Sequence, residues 1–243
     1  MEIAGKNALV TGAGQGIGEA TALMLAEQGA RLLVLADIDA DALAGTAAAV
    51  EAAGAKAISR VVDLSDADAV VGLLEAADAD SGGLDIVHNN AGIMTGTPDF
   101  PDTHIERMIA VIQINLLAMM IGTRKAVELM RGRKAGGVIV NTASVAAFGP
   151  MFTDPSYSAS KAGIVNFTES CKPLHEAFGI RVMAVCPAIV DTAIVPHDAE
   201  WLQPALKAVK MLQPGDIAAA VRSIIEDDSA AGGYVTVENE PAA

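Results

Sequence analysis

Tyr157 and Lys161 stand four residues apart in Pro155-Ser-Tyr-Ser-Ala-Ser-Lys161, and Ser144 lies upstream in Asn141-Thr-Ala-Ser144, at the end of an apolar run. The three residue types suit proton transfer. A neutral tyrosine, with an ordinary pKa of about 10, is a poor base near pH 7, so this use of it requires a nearby cation. Residues i and i+4 of a helix stand about 5–6 Å apart at Cβ, which puts Lys161 within reach. Lowering a phenol by about 3 pKa units takes roughly 4 kcal/mol. A unit charge about 4 Å away at an effective dielectric near 20 supplies about 4 kcal/mol. The magnitudes permit the chemistry, but Tyr-x-x-x-Lys is by itself the ordinary pattern of an exposed helix pair. Its surroundings have to carry the assignment.

A second chemical feature lies near the start. Thr11-Gly-Ala-Gly-Gln-Gly-Ile-Gly18 follows an apolar run and opens a helical pattern. Glycines there allow a sharp turn and let backbone N–H groups approach a pyrophosphate at a helix N-terminus. The spacing differs from the common Gly-x-Gly-x-x-Gly fingerprint, because Ile17 occupies the third glycine position. Asp37 follows about 20 residues later at the end of the next apolar run, where a carboxylate can accept from the adenosine ribose hydroxyls. Capping the helix that begins near Asp39 is an equally good local role for it. As a ribose ligand, Asp37 repels a 2′-phosphate, and neither Gln15 nor Ile38 offers a cation to hold one. That selects NAD over NADP.

Elements to position these residues are visible as alternation. Apolar runs of strand length fall at 7–11, 31–36, 57–62, 85–88, 137–141, 181–186 and 234–237, most without polar alternation, as in strands covered on both faces. Helix-length patterns lie between most of them, at 16–29, 40–53, 67–80, 103–130, 155–178 and 215–226. The expected fold is α/β: a single doubly wound, parallel, seven-stranded sheet flanked by helices, in one domain over residues 1–243. Gly12, Asp37, Asp63, Asn90, Ser144 and Pro187 each follow an expected strand, so one crevice beyond the carboxyl ends can collect them.

Composition narrows the partners. A formal charge of −14 disfavours nucleic acid. The strongly apolar stretch 108–122 is short for a membrane span and carries Gln113 and Asn115. With no signal-peptide pattern at the start, the expected location is cytoplasmic. The helix 103–130 is apolar on more than one face, which implies a homo-oligomer, a dimer or tetramer. Cys171 and Cys186 lack metal or redox spacing and read as small apolar residues. The four histidines are scattered and no metal is expected; His88 reads as a core residue and His197 as a loop residue within reach of substrate.

Taken together, Thr11-Gly12-x-x-x-Gly16-x-Gly18, Asp63-Leu64, Asn89-Asn90-Ala91-Gly92, Asn115, Ser144, Tyr157-x-x-x-Lys161 and Pro187 through Thr192 resemble the short-chain dehydrogenase/reductase family along essentially the whole chain. The resemblance implies an NAD(P)-binding Rossmann-like sheet with a catalytic tetrad of Asn115, Ser144, Tyr157 and Lys161. It implies cofactor contacts from Gly12, Gln15, Gly16, Ile17 and Gly18 in the loop, from Asp63 and Leu64 at the adenine, and from Asn90, Ala91 and Gly92 by the adenosine ribose. Lys161 would hold the nicotinamide ribose with Tyr157 beside it, and Pro187, Ile189 and Thr192 would meet the nicotinamide end. Asn115, costly in an apolar helix unless hydrogen-bonded, would hold a water that relays protons to Lys161.

The expected reaction is oxidation of a secondary alcohol, with Tyr157 as base and Ser144 bonding the reacting oxygen. Ketone reduction, as in an oxoacyl reductase, and a noncatalytic nucleotide sensor are the alternatives. Ile93, Met94, Val145, Phe148, Met151, Phe152 and a lid at 193–212 would rim an apolar substrate pocket. The stretch 224–237 is similar to the 15-hydroxyprostaglandin dehydrogenase-like branch, and hydroxysteroid dehydrogenases share the same core motifs. Ala188 departs from the family's glycine after proline, Pro173 interrupts the active-site helix, and the stretch after Tyr234 lacks the usual Asp-Gly-Gly ending. Steady-state kinetics are expected to give a higher kcat/KM with NAD than with NADP, and Asp37→Ala should relax that preference; a higher value with NADP contradicts the reading of Asp37.

Overall fold

Successive residues of a strand point to opposite faces, and the burial of β1 (Asn7–Thr11) shows what this requires. Ala8 and Val10 pack with Leu25, Leu43, Ile217 and Val221, whereas Leu9 packs with Leu73, Leu74, Ala126 and Met130 on the other side. A strand that must satisfy both faces reads as a continuous apolar run. The same holds for β2 (Leu32–Asp37), β4 (Ile86–Asn89), β5 (Gly137–Thr142) and β6 (Ile180–Pro187), while β3 (Lys56–Val61) and β8 (Gly233–Val237) form the more exposed edges. The computed structural model describes residues 1–134 and 136–242; residues 135 and 243 of the expected domain lie outside the described residues.

These seven strands form one parallel sheet in the order β3-β2-β1-β4-β5-β6-β8. The helices α1 (Gly16–Glu27), α2 (Ala40–Ala52) and α9 (Pro214–Glu226) cover one face. On the other face lie α3 (Ala67–Ser81) and α5 (Ala118–Arg133), with α6 (Pro155–Ser170) over the ends of β5 and β6. The chain leaves β1 toward β2 and β3, then returns to its other side as β4. The order therefore reverses at β1/β4, where a crevice opens beyond the carboxyl ends of the strands.

Three local features differ from an even alternation. The run Ile105–Arg133 is helical throughout, and by length and composition it could cross a membrane. Within it, α4 (Ile105–Val111) and α5 are joined by a π-helical turn, Ile112–Leu117, that contains Asn115. At Pro173 the helix expected over 155–178 stops and restarts, with α6 ending at Ser170 and α7 spanning Pro173–Phe178. Proline lacks the N–H that would continue the ladder. A small antiparallel pair, β7 (Val209–Lys210) with β9 (Glu240–Pro241), was not anticipated; α8 (Gln203–Ala208) precedes it.

The carboxyl ends of β4 and β5 carry a buried polar chain. Thr142 Oγ1 donates to Asn90 Oδ1 at 3.1 Å, and Asn90 Nδ2 donates to the carbonyls of Thr11 (3.2 Å) and Gly12 (3.3 Å). With its single proton so used, Thr142 Oγ1 accepts from His88 Nε2 at 2.9 Å. His88 is therefore the Nε2–H tautomer, and its buried Nδ1 has no partner among the described residues. Burial pulls its pKa down to about 3. The imidazole is neutral in the fold and takes up a proton on unfolding at any pH below its ordinary value near 6.5. Stability is thus fully present above pH 6.5 and is lost as pH falls toward 3, at roughly 1.4 kcal/mol per pH unit. Urea unfolding between pH 6.5 and 4.5 should show this excess slope over His88→Asn; parallel pH profiles for the two proteins contradict it.

Candidate active site

The glycine loop owes its shape to two close approaches. Gly12 has φ +62°, and a Cβ there would lie 2.8 Å from Ala91 Cα. A Cβ on Gly18 would lie 1.9 Å from the Gly12 carbonyl oxygen. No side chain fits at Gly18, so the first turn of α1 rests directly on the loop. Ile17 packs against the core instead, which explains why the third fingerprint position tolerates isoleucine.

Asp37, at the end of β2, does not cap α2. Asp39 does, accepting from Asp41 N and Ala42 N. The Asp37 carboxylate accepts from Gly14 N at 2.9 Å, Ile38 N at 2.7 Å and Asp39 N at 3.2 Å. A carboxylate has about four acceptor sites, so capacity for a ligand hydroxyl remains. It faces a cleft of about 650 Å³ that runs from Gly12, Asp37 and Ile38, past Asp63, Leu64 and Asn90–Gly92, to Met94, Met151 and Trp201. Ser144, Tyr157, Lys161, Pro187, Ile189 and Thr192 line the same cleft, as do Gln15, Gly16 and Ile17. Of the sequence-selected site residues, Gly18 and Asn115 stand behind this lining. Phe148 and Phe152, expected at the rim, are exposed outside it.

Asp154 is the N-cap of α6, and Pro155 occupies its first turn. Its buried carboxylate accepts from Tyr157 N at 2.9 Å and from Thr95 N at 2.8 Å, while Arg107 Nε donates to Thr95 O at 3.0 Å. The wall segment at Thr95 is thus held from both sides and tied to the helix that carries Tyr157. One turn on, Lys161 is 3 % exposed, and its Nζ donates to Thr142 O at 2.8 Å. Ser144 follows β5; its Oγ accepts from Ala146 N at 3.1 Å and donates to Pro187 O at 3.4 Å. Asn115 is buried, and its amide pairs with both backbone groups of Ile93: Oδ1 accepts from Ile93 N at 2.8 Å, and Nδ2 donates to Ile93 O at 2.9 Å. Nδ2 also lies 3.2 Å from Ser160 Oγ.

The electrostatics correct the simple estimate made from helical spacing. Lys161 Nζ sits over the Tyr157 ring, 5.5 Å from its centroid. Burial pushes the phenol up to about 12, outweighing a lowering by the nearby Ser144 hydroxyl, and the Asp154 carboxylate adds to the rise. Burial also pulls Lys161 down to about 8. The protein alone therefore holds Tyr157 neutral and Lys161 largely charged at pH 7. Helical spacing measures distance but not the loss of water, and here desolvation is the larger effect.

Sequence reasoning missed Asp154, Arg107 and Thr142. Asp154-Pro155 ahead of a helical pattern is a legible cap signal. Thr142 contributes its carbonyl to Lys161, and a backbone group leaves no mark in residue type.

The layered sheet with its cleft at the strand-order reversal defines an α/β protein of the Rossmann type. The chain belongs to the short-chain dehydrogenase family, whose family model matches residues 6–203. A probable oxidoreductase, EphD, of Mycobacterium tuberculosis is 40 % identical over 186 residues, covering 76 % of this chain but only 31 % of that protein. The cis-4-hydroxycyclohexanecarboxylate dehydrogenase of Sinomonas cyclohexanicum is 34 % identical over 224 residues, covering 90 % of this chain and 89 % of its own. Carveol dehydrogenase of Mycobacterium avium in complex with NAD superimposes with a TM-score of 0.87 at 25 % identity, covering 97 % of each chain.

Replacing Asp154 by alanine removes the cap of α6 and the tie to Thr95. A stability loss of about 1–2 kcal/mol is expected from the cap alone, measured as a lower urea midpoint at unchanged slope. An unaltered midpoint contradicts the clamp.

Proposed function

We propose that the protein is an NAD-dependent oxidoreductase that interconverts a neutral, apolar secondary alcohol and its ketone, with Tyr157 passing the hydroxyl proton. The observation that carries this reading is the meeting of Ser144, Tyr157 and Lys161 in one cleft with the glycine loop and Asp37. When bound, the nicotinamide supplies the hydride acceptor and, oxidised, a positive charge. Gly12, Gly18 and the start of α1 offer the close backbone approach that a pyrophosphate needs. Asp37 would take the ribose hydroxyls and disfavour a 2′-phosphate. A neighbouring fold bound to NAD supports the choice.

In the reaction, Ser144 orients the substrate oxygen and Tyr157 exchanges the proton with it. Lys161, anchored on Thr142 O, provides the cation that favours phenolate, and Asn115 positions a water that replenishes the proton. A phenol held neutral by burial is an acid as built, which supports ketone reduction as the reverse operation of the same site.

The substrate end supports an apolar class. Among the described residues lining the cleft, Lys161 is the only cation, and the walls beyond Ser144 are Ile93, Met94, Met151, Ile194, Trp201 and Leu202. The Sinomonas relative is named for a substrate bearing a carboxylate; among the described residues lining this cleft only Lys161 carries the charge to pair with one. Residues 193–212 form the lid of a single domain in this reading. The partner is a second copy of the chain. Ile105 (69 % exposed), Ile109 (51 %) and Ile112 (39 %) recur at helical spacing on one face of α4 and the turn that follows, a stripe that water does not favour.

Neutral cyclic and lipid-like secondary alcohols should be oxidised with NAD, followed at the NADH absorbance, in preference to hydroxy acids of the same ring. Tyr157→Phe should abolish turnover while leaving NADH affinity within about twofold. Retained turnover in that variant, or a preference for charged alcohols, contradicts the reading.

A further inference from the structure

Asn239 lies beyond β8, where the chain departs from the usual family ending, and it reaches across to the other departure, the segment after Pro187. Its side chain treats Ile189 as a strand treats its neighbour. Oδ1 accepts from Ile189 N at 2.9 Å, and Nδ2 donates to Ile189 O at 2.8 Å. Nδ2 also donates to Lys210 O at 3.1 Å. On the opposite wall of the cleft, Asn115 pairs in the same way with Ile93. Each wall thus carries one side-chain amide acting as a peptide group.

The bonds around Asn239 extend the clamp to the lid. Ala188 N donates to Val237 O at 2.9 Å, Leu212 N to Ile189 O at 2.9 Å, and Asp191 N to Leu212 O at 2.8 Å. Lys210 pairs with Glu240, and Ala242 N donates to Ala208 O at 2.9 Å. The stretch 237–242 therefore grips Ala188 and Ile189, just before the segment 192–208, and Ala208 and Lys210 at its far end. That segment contributes Thr192, Ile194, Trp201 and Leu202 to the cleft. Only an amide fits the position. The site demands an acceptor for one N–H and donors for two carbonyls; a carboxylate there faces two carbonyl oxygens, and a methyl meets none of the three.

We infer that Asn239 is a positioning residue: it holds the Ile189 backbone in the nicotinamide wall and anchors the stem of the substrate lid at Lys210. The cofactor part of the inference rests on the proposed function; the clamp itself does not.

The test uses Asn239→Asp and Asn239→Ala in the full chain. Losing the net worth of about one hydrogen bond should raise amide exchange at Ile189 and proteolytic cleavage within 193–208 about tenfold in the free protein. NADH, titrated by fluorescence, should bind about tenfold more weakly. Should the aspartate variant fail to fold, the alanine variant, which adds no charge, carries the same measurements. A lower melting temperature with wild-type exchange at Ile189 and wild-type cleavage overturns the inference, since Asn239 is then a stabilising residue only. Exchange and cleavage raised with NADH affinity unchanged overturns the cofactor part. If wild-type protein binds neither NADH nor NADPH, the proposed function fails, while exchange and cleavage still decide the clamp.

Discussion

Thr142 joins the interior of the sheet to the cleft. Its hydroxyl completes the chain from His88 to Asn90, and its carbonyl receives Lys161 Nζ. The hydroxyl contacts depend on the parallel register that sets His88 opposite Val140 and Asn89 opposite Asn141 at the ends of β4 and β5. A one-residue slip would turn every side chain of the strand to the other face. It would part the Thr142 hydroxyl from His88 and Asn90. Buried polar groups tolerate few arrangements because each unpaired one is expensive, so this network selects the register that the apolar packing permits.

The same burial governs the chemistry. A sheet covered on both faces needs a dry interior, and the cleft at its carboxyl end inherits part of that dryness. Desolvation moves Tyr157 and Lys161 in opposite directions, each toward its neutral form. The pair is thereby left sensitive to any charge that enters. Under the proposed function, Ser144, Tyr157 and Lys161 supply geometry in a site of low dielectric, and an oxidised nicotinamide would add positive charge beside them.

Legibility followed physical origin. Strands buried on both faces were readable within a residue or two, because a continuous apolar run is what their surroundings demand. The β7/β9 pair was not, since two-residue strands leave no period to detect. Pro173 announced the break between α6 and α7 through its missing N–H. Asp37 had two local roles, helix cap and ribose ligand, that residue type could not separate. Only the three-dimensional turn shows Asp39 on the helix and Asp37 on Gly14.

By itself the sequence determined the layered fold, the glycine loop and the residue types of the trio Ser144, Tyr157 and Lys161, because these are written in periodicity, backbone freedom and side-chain chemistry, whereas Asn115 entered through the family resemblance. Tertiary structure decided what depends on distance and on exclusion of water: the direction of the Tyr157 and Lys161 shifts, the π turn around Asn115, and the clamps made by Asp154 and Asn239. Asn239 lies 50 residues from Ile189 and 29 from Lys210. No local pattern encodes such contacts, because they exist only once the chain has closed on itself.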